Sequence, residues 1–172
     1  CGLYTSIESK VEAKQIIDVS GKIVSPGFID PHTHSLDELY SQDKNHNLNY
    51  LMQGVTTVVI GNDGDGGTNI GEIASDLEAN GIGTNVAQLA GHGSLRRQVM
   101  GTAQRYASAN ELANMKTLLA KAMDQGALGL SSGLYYVPGS FAATEEVVEL
   151  AKVAAKYKGI YDTHLRDEST FN

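Results

Sequence analysis

From Pro26 onward the chain repeats one pattern: a short apolar run, a cluster of glycine and polar residues, then a stretch with apolar positions three and four apart. Val55-Thr56-Thr57-Val58-Val59-Ile60 is the plainest of the apolar runs, and its β-branched residues predict a strand. Gly27-Phe28-Ile29-Asp30, the run from Asn85 to Ala90, Ala127-Leu128-Gly129-Leu130 and Gly159-Ile160-Tyr161-Asp162 read the same way. Between them the helical period takes over. One helix is predicted around Asn47 to Gln53, stopping at Gly54, and another near Ile70 to Asn80, stopping at Gly81, because glycine accepts the left-handed conformation that ends a helix. Ser108-Ala109-Asn110-Glu111 is a capping box, and Leu112, Met115, Leu119 and Met123 follow on one face of a helix that ends near Gly126. A last helix is predicted with Thr144 as its cap and Glu145 and Glu146 at its positive end. Gly61-Asn62-Asp63-Gly64, Gly91-His92-Gly93 and the stretch through Tyr135, Tyr136 and Pro138 read as loops.

Five strand-to-helix units with short connections imply a parallel α/β sheet. Each strand is followed by polar or glycine-rich residues, as in the first five units of a TIM (β/α)8 barrel whose site lies at the C-terminal rim, and residues 25–172 are assigned to such a partial barrel. A doubly wound sheet is the structural rival, but it would carry a glycine-rich phosphate-binding first turn where this chain has Pro31 beside two histidines. Residues 1–24 differ: Ile16-Ile17-Asp18-Val19, a Ser20-Gly21 turn and Lys22-Ile23-Val24 read as strand material, the expected end of a small β-sandwich domain. The chain opens without Met and stops just after a motif, so a fragment is expected.

Composition narrows the partners. With 41% apolar and 19% charged residues the chain has the make-up of an ordinary folded domain. Its net charge is −7 and its thirteen Lys and Arg are scattered, which argues against nucleic acid. No window approaches the roughly 20 apolar residues of a membrane helix, so no membrane partner is expected. A single cysteine permits no internal disulfide, and the cytoplasm is the expected compartment.

The chemistry is concentrated after the strands. His32 and His34 are two apart, and in an extended segment such residues share a side, so both imidazoles can reach one ion. Zinc is the expected ion, since neutral imidazole suits it and an open position can hold a reactive water. His164 ends the fifth strand and is placed on the same rim by barrel geometry. Asp63, after the second strand, offers a carboxylate, although Asn-Asp-Gly is also ordinary turn chemistry. His32, His34, Asp63 and His164 form the candidate ligand set.

Pro26-Gly27-Phe28-Ile29-Asp30-Pro31-His32-Thr33-His34, Gly54-Val55-Thr56-Thr57-Val58-Val59, Gly91-His92-Gly93-Ser94-Leu95-Arg96, Gly126 to Leu134 and Thr163-His164-Leu165-Arg166-Asp167-Glu168 together resemble successive signatures of the N-acyl-D-amino-acid deacylase (D-aminoacylase) branch of the metal-dependent amidohydrolases. The first signature is shared widely among amidohydrolases; the later four in this order are more specific. The resemblance implies zinc-type hydrolysis of an N-acyl-D-amino acid to a carboxylate and a D-amino acid, on one or two divalent ions. It also implies that His32 and His34 hold the more exposed metal position and His164 the tighter one. Asp63 departs from the pattern, since a cysteine stands there in the family, and a carboxylate is a harder ligand. A further metal histidine and the catalytic aspartate, taken in the family from later strands, lie beyond Asn172, so no catalytic base is expected in this segment and the remainder of the polypeptide is needed to complete the barrel.

Three more residues are candidate substrate contacts. Tyr136 matches a tyrosine-bearing loop that walls the family's pocket, with plain loop packing as the alternative. His92 is placed by similarity in the active-site region, with a hydrogen-bonded structural role as the alternative. Arg96, like Arg166 and Asp167, could orient the site or bind a substrate carboxylate, or belong to a surface ion pair. The rival functions are a cyclic-amide hydrolase, which would place a carboxylated lysine where this chain has Ser131-Ser132-Gly133, and a noncatalytic fragment.

Overall fold

The computed structural model describes residues 14–15 and 17–169. Five strands, β1 (Phe28–Asp30), β2 (Val55–Ile60), β3 (Asn85–Gly91), β4 (Gly129–Gly133) and β5 (Ile160–His164), form one sheet in the order of the sequence. Every neighbouring pair is parallel. Parallel neighbours in sequence order require a crossover helix on one face each time, and this is the half-wound state of a TIM barrel, curled so that one face becomes an interior. The crossovers are α1 (Leu36–Tyr40) and α2 (Leu48–Leu51), α3 (Ile70–Asn80), α4 (His92–Met100) with α5 (Ala109–Asp124), and α6 (Thr144–Lys156).

The alternation of the strands decides which residues face the helices. Leu130 of β4 and Ala90 of β3 join Leu95, Met115, Leu119, Met123, Leu150 and Val153 in a buried layer beneath α4, α5 and α6. Val58 and Ile60 of β2 join Leu39, Ile73 and Leu77 in a second cluster beneath α1 and α3. Leu39, Leu119 and Leu130 are wholly buried, and truncating any one of them to Ala would cost about 2–5 kcal/mol.

The capping box forms as expected, with the Glu111 amide donating to Ser108 Oγ and Glu111 accepting from the Ser108 amide at 2.8 Å. Gly81 ends α3 with φ +74°. Four expectations shift. Thr144 is the first residue of α6 rather than its cap, and the Ala143 position makes no side-chain capping bond. The second helix is shorter than predicted, only Leu48–Leu51. Strand β4 lies at 129–133, because Ser131 and Ser132, though polar, are buried in the ladder. The segment beginning at His92 is a nine-residue helix starting directly at the end of β3, where the sequence reads as a loop. In the leading segment, the Ser20-Gly21 turn is present, with the Lys22 amide donating to the Val19 carbonyl at 2.9 Å. Residues 17–19 and 22–24 are not in strands, and Ile16 and residues 1–13 lie outside the described residues.

Candidate metal centre

Strand β1 hands the chain to Pro31-His32-Thr33-His34, and this segment is fastened to the end of β2. The Thr33 amide and hydroxyl both donate to the Val59 carbonyl, at 3.0 and 2.8 Å. Asn62 Nδ2 donates to the Thr33 and Val59 carbonyls at 3.2 and 3.0 Å. Thr33 and Asn62 are themselves almost fully buried, so the backbone between the two histidines has little freedom. The consequence is that His32 and His34 face the same side, with ring centroids 5.4 Å apart.

The loop after β2 then turns back over the mouth of the curled sheet. Asp63 sits at φ +55°, a left-handed conformation that aspartate accepts more readily than most residues. Ser131 Oγ of β4 donates to the Gly61 carbonyl and accepts from the Gly64 amide. The loop passes so close to β3 and β4 that a Cβ on Gly91 would collide with the Gly64 carbonyl, and one on Gly133 with the Asp63 carbonyl. Two strands thus end in glycine because the loop carrying Asp63 occupies the space a side chain would need.

The outcome is a three-residue group. Asp63 Oδ2 lies 3.3 Å from His32 Nε2 and 3.1 Å from His34 Nε2. One ligand atom from each of the three lies within 4.8 Å of those from the other two. Asp63 Oδ1 is buried and has no hydrogen-bond partner, an arrangement that is costly for a carboxylate oxygen unless a cation neutralises it. Two imidazole nitrogens and a carboxylate suit a divalent first-row ion, and the residues present therefore fit a metal. Beside His34, a cavity of about 230 Å³ runs between Thr33, Leu36, Ile60, Asn62 and Asp65.

His164 ends β5 at the same end of the sheet but is not drawn into that group among the described residues. Its Nδ1 donates to the Leu165 carbonyl at 2.9 Å, which leaves Nε2 as the nitrogen without a proton, and Glu168 Oε1 lies 3.8 Å from that Nε2. Tyr136 stands edge-on to the His164 ring at 4.9 Å, and Tyr135 lies against it at 5.8 Å. Both tyrosines are exposed, in the loop that follows β4.

The other two candidate substrate contacts, Arg96 and His92, are both paired with Glu146. Arg96 is fully buried, with Nη1 donating to both carboxylate oxygens of Glu146 at 2.7 and 2.6 Å and Nη2 to the Arg105 carbonyl at 3.0 Å. His92 is also fully buried, its Nε2 2.8 Å from Glu146 Oε1. The charge of Arg96 is thus matched by Glu146 beneath the rim, and the hydrogen-bonded structural alternative for His92 has its partner in the same carboxylate. Burial alone would raise the pKa of Glu146, but the hydrogen bonds and charges of His92 and Arg96 outweigh it and hold the carboxyl below its ordinary range. Arg166 is likewise engaged, donating to the Ser140 and Ala142 carbonyls at 2.9 and 3.0 Å. Asp167 accepts from the Ser169 amide and hydroxyl rather than from a cation.

Sequence reasoning passed over Thr33, Asn62, Glu146 and Asp162. Asp162 Oδ2 lies 3.7 Å from His32 Nδ1. The same alternation that pairs His32 with His34 puts Asp162 on the face of His164, and applying it to β5 would have found the residue.

The amidohydrolase family model matches residues 15–171. The D-aminoacylase of Alcaligenes xylosoxydans xylosoxydans is 38% identical to the chain, with 93% of this chain and 37% of that protein aligned. A D-aminoacylase crystal structure superposes with a TM-score of 0.81 at 34% identity, covering 91% of this chain and 38% of that one. The N-acyl-D-glutamate deacylase of Bordetella bronchiseptica, solved with zinc and a phosphonate mimic of a tetrahedral intermediate, superposes with a TM-score of 0.74 at 33% identity, covering 83% of this chain and 34% of that one. The chain thus spans little more than a third of the length of these relatives. A half-barrel with a histidine pair at the end of its first strand, matched over nearly its whole length, belongs to the amidohydrolase family, in the branch that holds D-aminoacylase and N-acyl-D-glutamate deacylase.

Proposed function

We propose that the intact protein hydrolyses the amide bond of N-acyl-D-amino acids, releasing a carboxylate and a D-amino acid, with zinc as its ion. The observation that carries this reading is the convergence of His32, His34 and Asp63 at the mouth of the half-barrel, with their ligand atoms within 4.8 Å of one another. His32, His34 and Asp63 hold the first ion, and His164, whose Nδ1 bond to Leu165 leaves Nε2 available as a donor to metal, supplies a ligand to a second position on the same rim. A bound divalent ion supplies an acidified water and an electrophile for the amide carbonyl. Tyr136, exposed beside His164, walls the pocket on the β4 side and orients the acyl amino acid. The proton-transferring aspartate and a further histidine come from the remainder of the polypeptide, which completes the barrel. Residues 1–24 are assigned to the end of a small β domain on sequence alone; among the described residues of that segment, Ile17, Ile23 and Val24 stand exposed, as an apolar face awaiting cover would. The scarcity of cysteine favours the cytoplasm.

The cyclic-amide alternative has less support. Ser131 Oγ is engaged by the Gly61 carbonyl and the Gly64 amide, and the end of β4 carries no lysine. The test is turnover by the zinc-loaded intact protein on N-acetyl-D-amino acids, their L-enantiomers and a cyclic amide. Release of amino acid from the D-substrates, lost together with bound zinc in Asp63→Ala, is expected. Turnover of the cyclic amide alone would overturn the assignment, and unchanged zinc content in Asp63→Ala would reduce Asp63 to a turn residue.

A further inference from the structure

Asp162 is a carboxylate on the inner face of β5, two residues before His164. Its Oδ2 is buried and has no hydrogen-bond partner, although the side chain as a whole is about one-third exposed, at 33%. The nearest complement is across the mouth of the half-barrel: His32 Nδ1, at 3.7 Å. His32 thus lies between two carboxylates, with Nε2 toward Asp63 and Nδ1 toward Asp162. An imidazole that gives one nitrogen to a metal gains basicity and a fixed tautomer when the other nitrogen donates to a carboxylate. His34 has no carboxylate but Asp63 within ion-pair reach among the described residues.

We propose that Asp162 is the positioning residue of His32: its carboxylate accepts a hydrogen bond from Nδ1–H, holds the ring with Nε2 toward Asp63, and so ties the β5 rim to the β1 rim through the metal ligand. The distance of 3.7 Å is within ion-pair reach and beyond a hydrogen bond, so the proposed bond requires a rotation of the aspartate's terminal torsion, which is broad and soft. Asp162 acts through His32 and does not itself enter the ligand group, consistent with the three residues whose ligand atoms gather within 4.8 Å. Asp30, at the end of β1, is already engaged, accepting from the His32 backbone amide at 3.1 Å. The proposal rests on the metal-centre reading above and extends it to a residue outside the ligand set.

The experiment is zinc affinity and stoichiometry of the intact protein by competition with a chromogenic chelator, for wild type, Asp162→Ala, Asp162→Asn and Asp63→Ala, with the apo-protein melting temperature of each as a folding control. Asp162→Ala is expected to bind the same number of ions about 10- to 100-fold more weakly. Asp162→Asn, which keeps an acceptor oxygen and the same shape, is expected to recover part of that loss. In the cobalt-substituted protein the visible absorption band should shift in Asp162→Ala while its ligand number is unchanged. Equal affinity in wild type and Asp162→Ala would overturn the proposal and leave the metal centre intact. Loss of one ion, equally in Asp162→Ala and Asp162→Asn, would make Asp162 a direct ligand and overturn it in a different way. Absence of zinc binding in wild type itself would instead overturn the metal-centre reading on which the proposal stands.

Discussion

Glu146 shows how a charge is accommodated beneath the rim. It is only 4% exposed, and its two oxygens accept from Arg96 while one also meets His92. Removing one partner of a buried pair leaves the other charge without compensation, so Arg96→Ala is expected to destabilise the intact protein by about 3–5 kcal/mol in chemical denaturation, far more than a surface arginine would. Folding lowers the Glu146 pKa below its ordinary 4.5, so the folded state favours the charged form there. The stabilisation is complete above that ordinary value and is lost as the pH falls through the depressed folded value. The melting-temperature gap between wild type and Glu146→Gln should therefore be constant at neutral pH and shrink as the pH falls below the ordinary 4.5; a gap that widened on acidification would contradict the coupling.

At the scale of elements, the loop over the barrel mouth is held by absences as much as by contacts. Gly133 ends β4 beneath the Asp63 carbonyl, and any Cβ there must push the loop away. Gly133→Ala is expected to weaken zinc binding by at least about tenfold by moving Asp63, while the far-UV circular dichroism spectrum stays that of wild type, since the strand itself tolerates alanine. Unaltered affinity would show that the loop moves independently of β4. The elements that the sequence hides have related causes. Helix α4 begins at His92 and buries Arg96, so a charged residue stands where the helical pattern calls for an apolar one, and Gly93 and Ser94 are weak helix formers. Strand β4 reaches past Leu130 into two serines whose hydroxyls find partners in the loop, in Tyr161 and in Thr163. In both places a polar side chain is buried because a distant segment satisfies it, which periodicity in one stretch of chain does not record.

For the whole molecule, the sheet has two free edges among the described residues. Phe28 and Ile29 of β1 are 60% and 66% exposed, and Ile160 and Tyr161 of β5 are 48% and 43% exposed. A groove of about 590 Å³ lined by Leu134, Val147, Val148, Ala151 and Tyr161 runs along α6 beside β5. Open parallel edges with apolar flanks are templates for further pairing. A polypeptide of these 172 residues prepared alone should associate as its concentration rises, by light scattering, and show no deacylase turnover. A monodisperse monomer would mean that the edges are protected by some other device. Much of this architecture can be read along the chain. The β-branched run at Val55, the capping box at Ser108, the terminating glycines and the His-x-His after a strand are local patterns, and local patterns follow from backbone sterics and side-chain periodicity alone. They determined the order of elements, the parallel α/β class and the residues most suited to hold a metal. Tertiary structure alone decided that Asp63 meets both histidines, that His164 stands apart with Tyr136, that Arg96 pairs with Glu146, and that Asp162 faces His32. Each of those outcomes depends on the distance between groups far apart in the chain, and that distance is set by the curl of the sheet, the packing of helices against it and the path of one loop across its mouth.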